Sequence, residues 1–209
     1  PASGTIAGEG TLFYVLGGAL LTELALNQQI EIDEKTGWKG RQVRTAGRTP
    51  PADPLLRDVW DRLAEKPRDV QTLLAEVGPP VRGTVIDRLA ERGDLRKESR
   101  KTLGLFTTTA LRDGGTTRRA GLLEHLRAVL VDGVTPTPRI AGIAALLSAS
   151  GSLPAFHRVI PWSSPVIQRA TELQSGDWGA GAAGEAVART VTATITNAMI
   201  AAGVISAGT

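Results

Sequence analysis

Residues 11–28 carry apolar side chains around almost a full helical circumference: Leu12, Phe13, Val15, Leu16, Leu20, Leu21, Leu24 and Leu26. A helix with no polar face has nothing to offer water, so it belongs at the centre of a domain with other elements packed around it. This segment therefore predicts a helix-centred fold. The other residues must supply the surrounding layers. With 42% hydrophobic and 22% charged residues among 209, the chain has enough apolar material for one sizeable core.

The elements around that helix are read from period and punctuation. Ile30-Glu31-Ile32-Asp33 alternates as a short strand, and Lys35-Thr36-Gly37 turns the chain into a return strand over 38–44. Asp53-Pro54 opens a second helix, with Asp as cap and Pro at the first position, and Pro67 closes it. A third helix is predicted near 69–77, a break at Gly78-Pro79-Pro80, and a fourth helix over 81–92. Gly93 suits a left-handed helix end. A hairpin is predicted over 94–113, its first arm 95–100 and its second led by Leu103-Gly104-Leu105-Phe106.

Thr116 or Thr117 is the expected cap of a helix whose apolar face is Leu122, Leu123, Leu126, Val129 and Leu130. Helices over 138–149 and 164–173 follow, separated by an irregular stretch. A glycine-rich loop over 176–184 precedes the last helix, which turns Ala186, Val187, Val191, Ile195 and Met199 to one side. The expected fold is mainly α: a single domain of about eight helices with two short β-hairpins. The order of elements lacks the β-α alternation of a parallel doubly wound sheet.

Few kinds of chemistry fit the residues. The chain has no cysteine and only two histidines, His125 and His157, so thiolate sites and a histidine metal cluster are not expected. Gly179-Ala180-Gly181-Ala182-Ala183-Gly184 matches a dinucleotide-binding glycine pattern, but no strand precedes it and one helix of chain follows, so it reads as a loop into a helix. The carboxylate pairs Asp58/Asp61 and Glu31/Asp33 have basic neighbours and read as solvated faces. Ser163-Ser164 has no histidine partner, and His157 beside Arg158 reads as a surface or packing residue. The expectation is a protein that is not an enzyme and needs no cofactor.

Residues 1–10 lack the basic start and apolar run of a secretory signal, which predicts a cytoplasmic protein. Their abrupt beginning suggests a missing N-terminal segment. Residues 190–209 are uncharged and as long as a membrane span, but Thr190, Thr192, Thr194, Thr196 and Asn197 among Ala and Gly read as a buried small-residue helix.

The basic residues are more informative. The net charge is +3, and arginine outnumbers the five lysines Lys35, Lys39, Lys66, Lys97 and Lys101. That usage fits a bacterial genome rich in GC. It also supplies planar forks suited to phosphates. Arg96, Lys97, Arg100 and Lys101 crowd the hairpin, with Arg82, Arg88 and Arg92 in the helix before it and Arg41, Arg44 and Arg48 after the first strand pair. Such groups attract phosphates on a lipid or a nucleic acid. Leu103, Leu105 and Phe106 set an apolar tip beside the basic arm, which suits a membrane interface, exchange between subunits, or packing onto the core.

At this point the order of motifs becomes that of a known family. Gly18-Ala19-Leu20-Leu21-Thr22-Glu23-Leu24-Ala25-Leu26 followed by Ile30-Glu31-Ile32 resembles the signature helix of the Golgi phosphoprotein 3 family. Val85 to Leu95 resembles a later helix of that family, residues 103–106 sit where it has an oligomerisation hairpin, and Pro138 to Ala149 resembles a helix of its C-terminal third.

The resemblance covers nearly the whole chain, 1–209. It implies a helical, non-enzymatic adaptor that binds phosphatidylinositol 4-phosphate at membranes, and eukaryotic members link Golgi membranes to glycosyltransferase tails. It further implies a homo-oligomer and a peripheral place at the inner face of the cell membrane. The family holds its headgroup with a Trp and several Arg. Carried over, the Trp falls near Gly8 and the Arg positions fall on Gly17, Pro79 and Arg82, so Arg82 is the matching residue and Arg88 a neighbour outside the motif. Binding of anionic lipids in general therefore stands beside phosphoinositide binding.

The alternative is a nucleic-acid-binding regulator. Residues 69–112 read as helix, turn, helix and basic hairpin, the order of a winged helix-turn-helix. The start of its second helix, at Gly78-Pro79-Pro80-Val81, offers little for reading bases beyond Arg82 and Thr84.

Overall fold

The computed structural model describes residues 6, 8–33, 41–102, 106–176, 178 and 182–205. The central helix is α1, Leu12–Leu26. Around it stand α2, Pro54–Glu65, α3, Val70–Glu91, α5, Pro138–Ala149, and α7, Ala182–Ala201. Two further helices, α4 (Arg118–Leu130) and α6 (Ser164–Gln174), pack beyond α5. Among the described residues the fold is thus mainly helical, with seven α-helices and two small antiparallel sheets.

The helix apolar on most sides is placed as its composition requires. Leu20, Leu21, Leu24 and Ala25 are buried. Residues 9–26 are long and apolar enough to cross a bilayer, by length and composition only; a third of the stretch is buried, with Leu20, Leu21, Leu24 and Ala25 in the protein's own core. Two adjacent glycines let neighbours approach α1 from two sides. A Cβ at Gly17 would meet Leu74 of α3 at 3.0 Å, and one at Gly18 would meet Leu146 of α5 at 2.7 Å. Arg139 at the start of α5 forks the carboxylate of Glu23, tying α5 to α1.

The core has two parts. The larger joins α1, α2, α3 and α7 with Ile30 and Val43 from the first sheet. The smaller joins Leu123, Leu126, Val129 and Leu130 of α4 with Val166 and Ala170 of α6 and the alanines of α5. Helix α5 serves both: Ala141, Ala144 and Ala145 belong to the smaller part, Leu146 and Ala149 to the larger. Leu122 was expected on the buried face of α4 and is exposed instead; the buried face is Leu123, Leu126, Val129 and Leu130. The threonines of α7 satisfy their hydroxyls within the helix and on Gln174. Thr190 and Thr194 donate to carbonyls one turn back, and Thr192 also reaches the Gln174 carbonyl at 3.0 Å.

The expected break at Gly78-Pro79-Pro80 is absent, and this lowers the helix count from eight to seven. The chain runs through as the single 22-residue helix α3. Proline at 79 and 80 removes two donors, leaving the carbonyls of Ala75 and Glu76 without their usual partners. Ala75, Pro79 and Pro80 are all exposed, so water can serve that side. On the opposite side Leu73, Leu74, Val77 and Val81 are buried in one continuous stripe spanning both predicted helices. Gly78 sits where a Cβ would lie 2.3 Å from the Phe13 carbonyl oxygen. Packing on α1 thus overrides the local preference to stop. The turn needed for a helix-turn-helix reading of residues 69–112 is occupied by helix.

The first strand pair forms as expected in part: β1, Ile30–Asp33, pairs antiparallel with β2, Gln42–Thr45. The turn 35–37 and residues 38–40 of the expected second arm lie outside the described residues. A third strand, β3 (Arg68–Asp69), adds to β2, so the first hairpin is the greater part of a three-stranded sheet. The second hairpin is β4, Leu95–Thr102, against β5, Phe106–Asp113. Helix α3 hands over to it through Gly93 at φ 75°. There the Asp94 amide donates back to the Leu89 carbonyl at 2.8 Å, a left-handed helix end that glycine makes without strain. The expected threonine cap of α4 is not made: Thr117 holds the cap position with no side-chain bond, and Thr116 donates its hydroxyl to Asp94 at the foot of the hairpin.

A candidate anion-binding cleft at the foot of the hairpin

The second half of α3 and the hairpin enclose an open cleft of about 530 Å³. One wall is a helical face repeating three and four residues apart: Arg82, Gly83, Ile86 and Asp87. The other wall follows the period of two in a strand. Lys97 stands opposite Leu111 in the register, and Thr109 lies two residues before Leu111 on the same face. Ile6 and Glu9, in and beside the 3-10 turn Glu9–Thr11, complete the lining.

Both cations of the cleft have carboxylate partners. The Arg82 Nε donates to Glu9 Oε1 at 2.5 Å, and the Lys97 ammonium meets Asp87. The side chains of Arg82 and Glu9 are 43% and 48% exposed, so water competes for both. An ion pair this open contributes about 0–1 kcal/mol. Ile86 and Leu111 supply apolar wall between the charges, and no Cβ stands at Gly83 to narrow the space.

The residues singled out in the sequence separate in the structure. Arg82 and Lys97, fifteen positions apart in number, line the same cleft. Arg88 does not. It makes two bonds to Asp53, at 2.8 and 2.9 Å, and Asp53 also caps α2 by accepting from the Leu55 amide. The hydrogen bond from Arg88 holds the Asp53 carboxyl below its ordinary value, and Asp53 in turn raises the guanidinium of Arg88. Arg96 is exposed on β4 next to Lys97, and adjacent strand residues point to opposite faces. Arg100 and Lys101 stand opposite Thr108 and Thr107 in the register, and Phe106 opposite Thr102. Leu103 and Leu105, the expected apolar tip, lie outside the described residues.

Glu9, Asp87 and Thr109 were not anticipated from sequence. Asp87 was legible in principle, since 82, 83, 86 and 87 form one face of the helix predicted over 81–92. Glu9 had no such signal, because 73 positions separate it from Arg82.

The positions onto which the headgroup residues of the Golgi phosphoprotein 3 family fall are now also visible. Gly17 is buried against Leu74, Gly8 adopts φ 70° beside Ser152, and Pro79 is exposed on α3. Arg82 alone of these positions brings a cation to the cleft. The profile of this family, Golgi phosphoprotein 3 (GPP34), matches residues 1–190. The chain belongs to that family. No curated protein matches the chain. Membership in the Golgi phosphoprotein 3 family fits a non-enzymatic, lipid-associated adaptor in general, and the match spans all of the cleft.

Proposed function

We propose that this family member is a non-enzymatic adaptor that attaches peripherally to membranes by binding anionic headgroups, phosphatidylinositol 4-phosphate or another anionic lipid, at the cleft of Arg82 and Lys97. The observation that carries this reading is the meeting of those two side chains from separate elements in one open, partly apolar cleft. Family membership supports it independently. The basic run of β4 adds attraction at longer range, about 1 kcal/mol for each cation near an anionic surface. The protein is cytoplasmic in this reading and works at the inner face of the cell membrane. It acts as a homo-oligomer through the hairpin, so that several weak sites bind together.

The test is flotation with vesicles of neutral lipid, phosphatidylglycerol, or phosphatidylinositol 4-phosphate at physiological salt. Wild-type protein should float with the anionic vesicles, and Arg82→Ala and Lys97→Ala should each reduce flotation with phosphatidylinositol 4-phosphate several-fold. Failure to float with any vesicle sinks the reading. Binding of duplex DNA in its place, lost in Arg96→Ala and Lys97→Ala, would favour the nucleic-acid alternative, although a continuous α3 leaves no turn to aim a recognition helix.

A further inference from the structure

The cleft is not a simple positive pocket. Arg82 and Lys97 bring two positive charges, and Glu9 and Asp87 bring two negative ones to the same lining. A ligand must therefore do better than the carboxylates already there. A phosphodiester headgroup carries one negative charge. Exchanging it for Glu9 at Arg82 replaces one monoanion by another and gains little. A phosphomonoester carries about −1.5 to −2 at pH 7 on three acceptor oxygens. At either cation such a group offers more charge than the carboxylate it displaces.

We infer that Glu9 and Asp87 set a charge threshold at the cleft, holding Arg82 and Lys97 against monoanionic headgroups and yielding them to a phosphomonoester. Selectivity then comes from a built-in competitor as much as from the attraction of the cations. The inference rests on the anionic-lipid reading above and goes beyond it in naming the residues that select the ligand. Glu9 and Asp87 act through the cations and are specificity-determining residues.

The test compares Glu9→Gln and Asp87→Asn with wild type on two vesicle types of matched surface charge, one with phosphatidic acid and one with phosphatidylglycerol. Each carboxylate is in an exposed pair, so both variants should fold. Asp132→Asn is the control, because Asp132 pairs with Arg127 at 2.7 Å with similar exposure on the end of α4 and lines no part of the cleft. Each cleft variant should raise binding to phosphatidylglycerol by about twofold to fivefold, the range set by an exposed pair. Binding to phosphatidic acid should change less, so the preference for the phosphomonoester narrows.

Soluble glycerol 3-phosphate should displace wild-type protein from the phosphatidic acid vesicles. Retention at saturating glycerol 3-phosphate would mean that membrane charge alone is recognised, which overturns the inference. So would a preference unchanged in both variants, or changed equally by Asp132→Asn. In those cases the wild type still floats and the lipid-binding reading survives. Wild type and variants that bind neither vesicle would sink both.

Discussion

Arg82 and Arg88 are six residues apart on one helix, and each meets a carboxylate, yet the two pairs are built differently. Arg88 forks Asp53 with two bonds, and Asp53 is itself fixed as the cap of α2. Arg82 donates its Nε to Glu9, on a 3-10 turn at the rim of an open cleft. Six residues rotate the second arginine roughly 120° around α3 relative to the first, so one faces α2 and the other the hairpin. A cation whose partner is locked into another element is a clamp. A cation whose partner sits on a short turn can change partners. Both arginines belong to the same basic group in sequence, and only their partners set them apart.

The largest effect should come from unseating α3 itself, because both arginines take their directions from its contact with α1. Gly78→Ala puts a Cβ 2.3 Å from the Phe13 carbonyl oxygen. Overpacking against backbone should lower stability by about 2–3 kcal/mol in urea unfolding. A change under about 0.5 kcal/mol would show that the two helices have room to separate.

Next comes the clamp. Asp53→Ala removes a cap and a charge partner together, and should cost about 1–2 kcal/mol, discounted for an exposed pair. Asp53→Asn keeps a capping acceptor and isolates the pair, so its loss should be the smaller one. The Asp53 variants also carry a pH signature. The folded protein holds the Asp53 carboxyl below its ordinary value, chiefly through the hydrogen bond from Arg88. The stability this gives is complete above the unfolded carboxylate value and is lost as pH falls through the lowered folded value. The advantage of wild type over Asp53→Asn should therefore be constant near neutral pH and vanish in acid. An advantage that grew in acid would reverse the assignment.

The smallest effect on stability sharpens the comparison most. Arg82→Ala should leave the unfolding midpoint within the range of a surface change, about 0.5 kcal/mol, while reducing flotation on phosphatidylinositol 4-phosphate vesicles several-fold. A loss as large as that of Asp53→Ala would make Arg82 a second clamp and remove it from the proposed site.

Much of this fold was legible in order of residues alone. Leu20, Leu21 and Leu24 announced a central helix because no side of it was polar, and they are buried. Asp53-Pro54 and Gly93 marked helix ends because caps and left-handed turns are local chemistry, and the Asp53 side chain does accept from the amide of Leu55. The hairpin over 94–113 and the basic character of its first arm were equally local. The family followed from the order of these same motifs.

Other features were settled only when distant residues met. Pro79-Pro80 favours a break in any isolated segment, and only the buried stripe of Leu73, Leu74, Val77 and Val81 against α1 carries the helix through. Residues 68–69 became a strand because β2 offered an open edge. Arg88 looked as free as Arg82 until Asp53, 35 positions away, came within hydrogen-bonding distance. Sequence determines which residues are apolar, which are charged and where the backbone can turn, because those are properties of a residue and its near neighbours. Which charge neutralises which is a matter of distance in space, and the tertiary structure alone decided that Glu9 stands at Arg82 and Asp87 at Lys97.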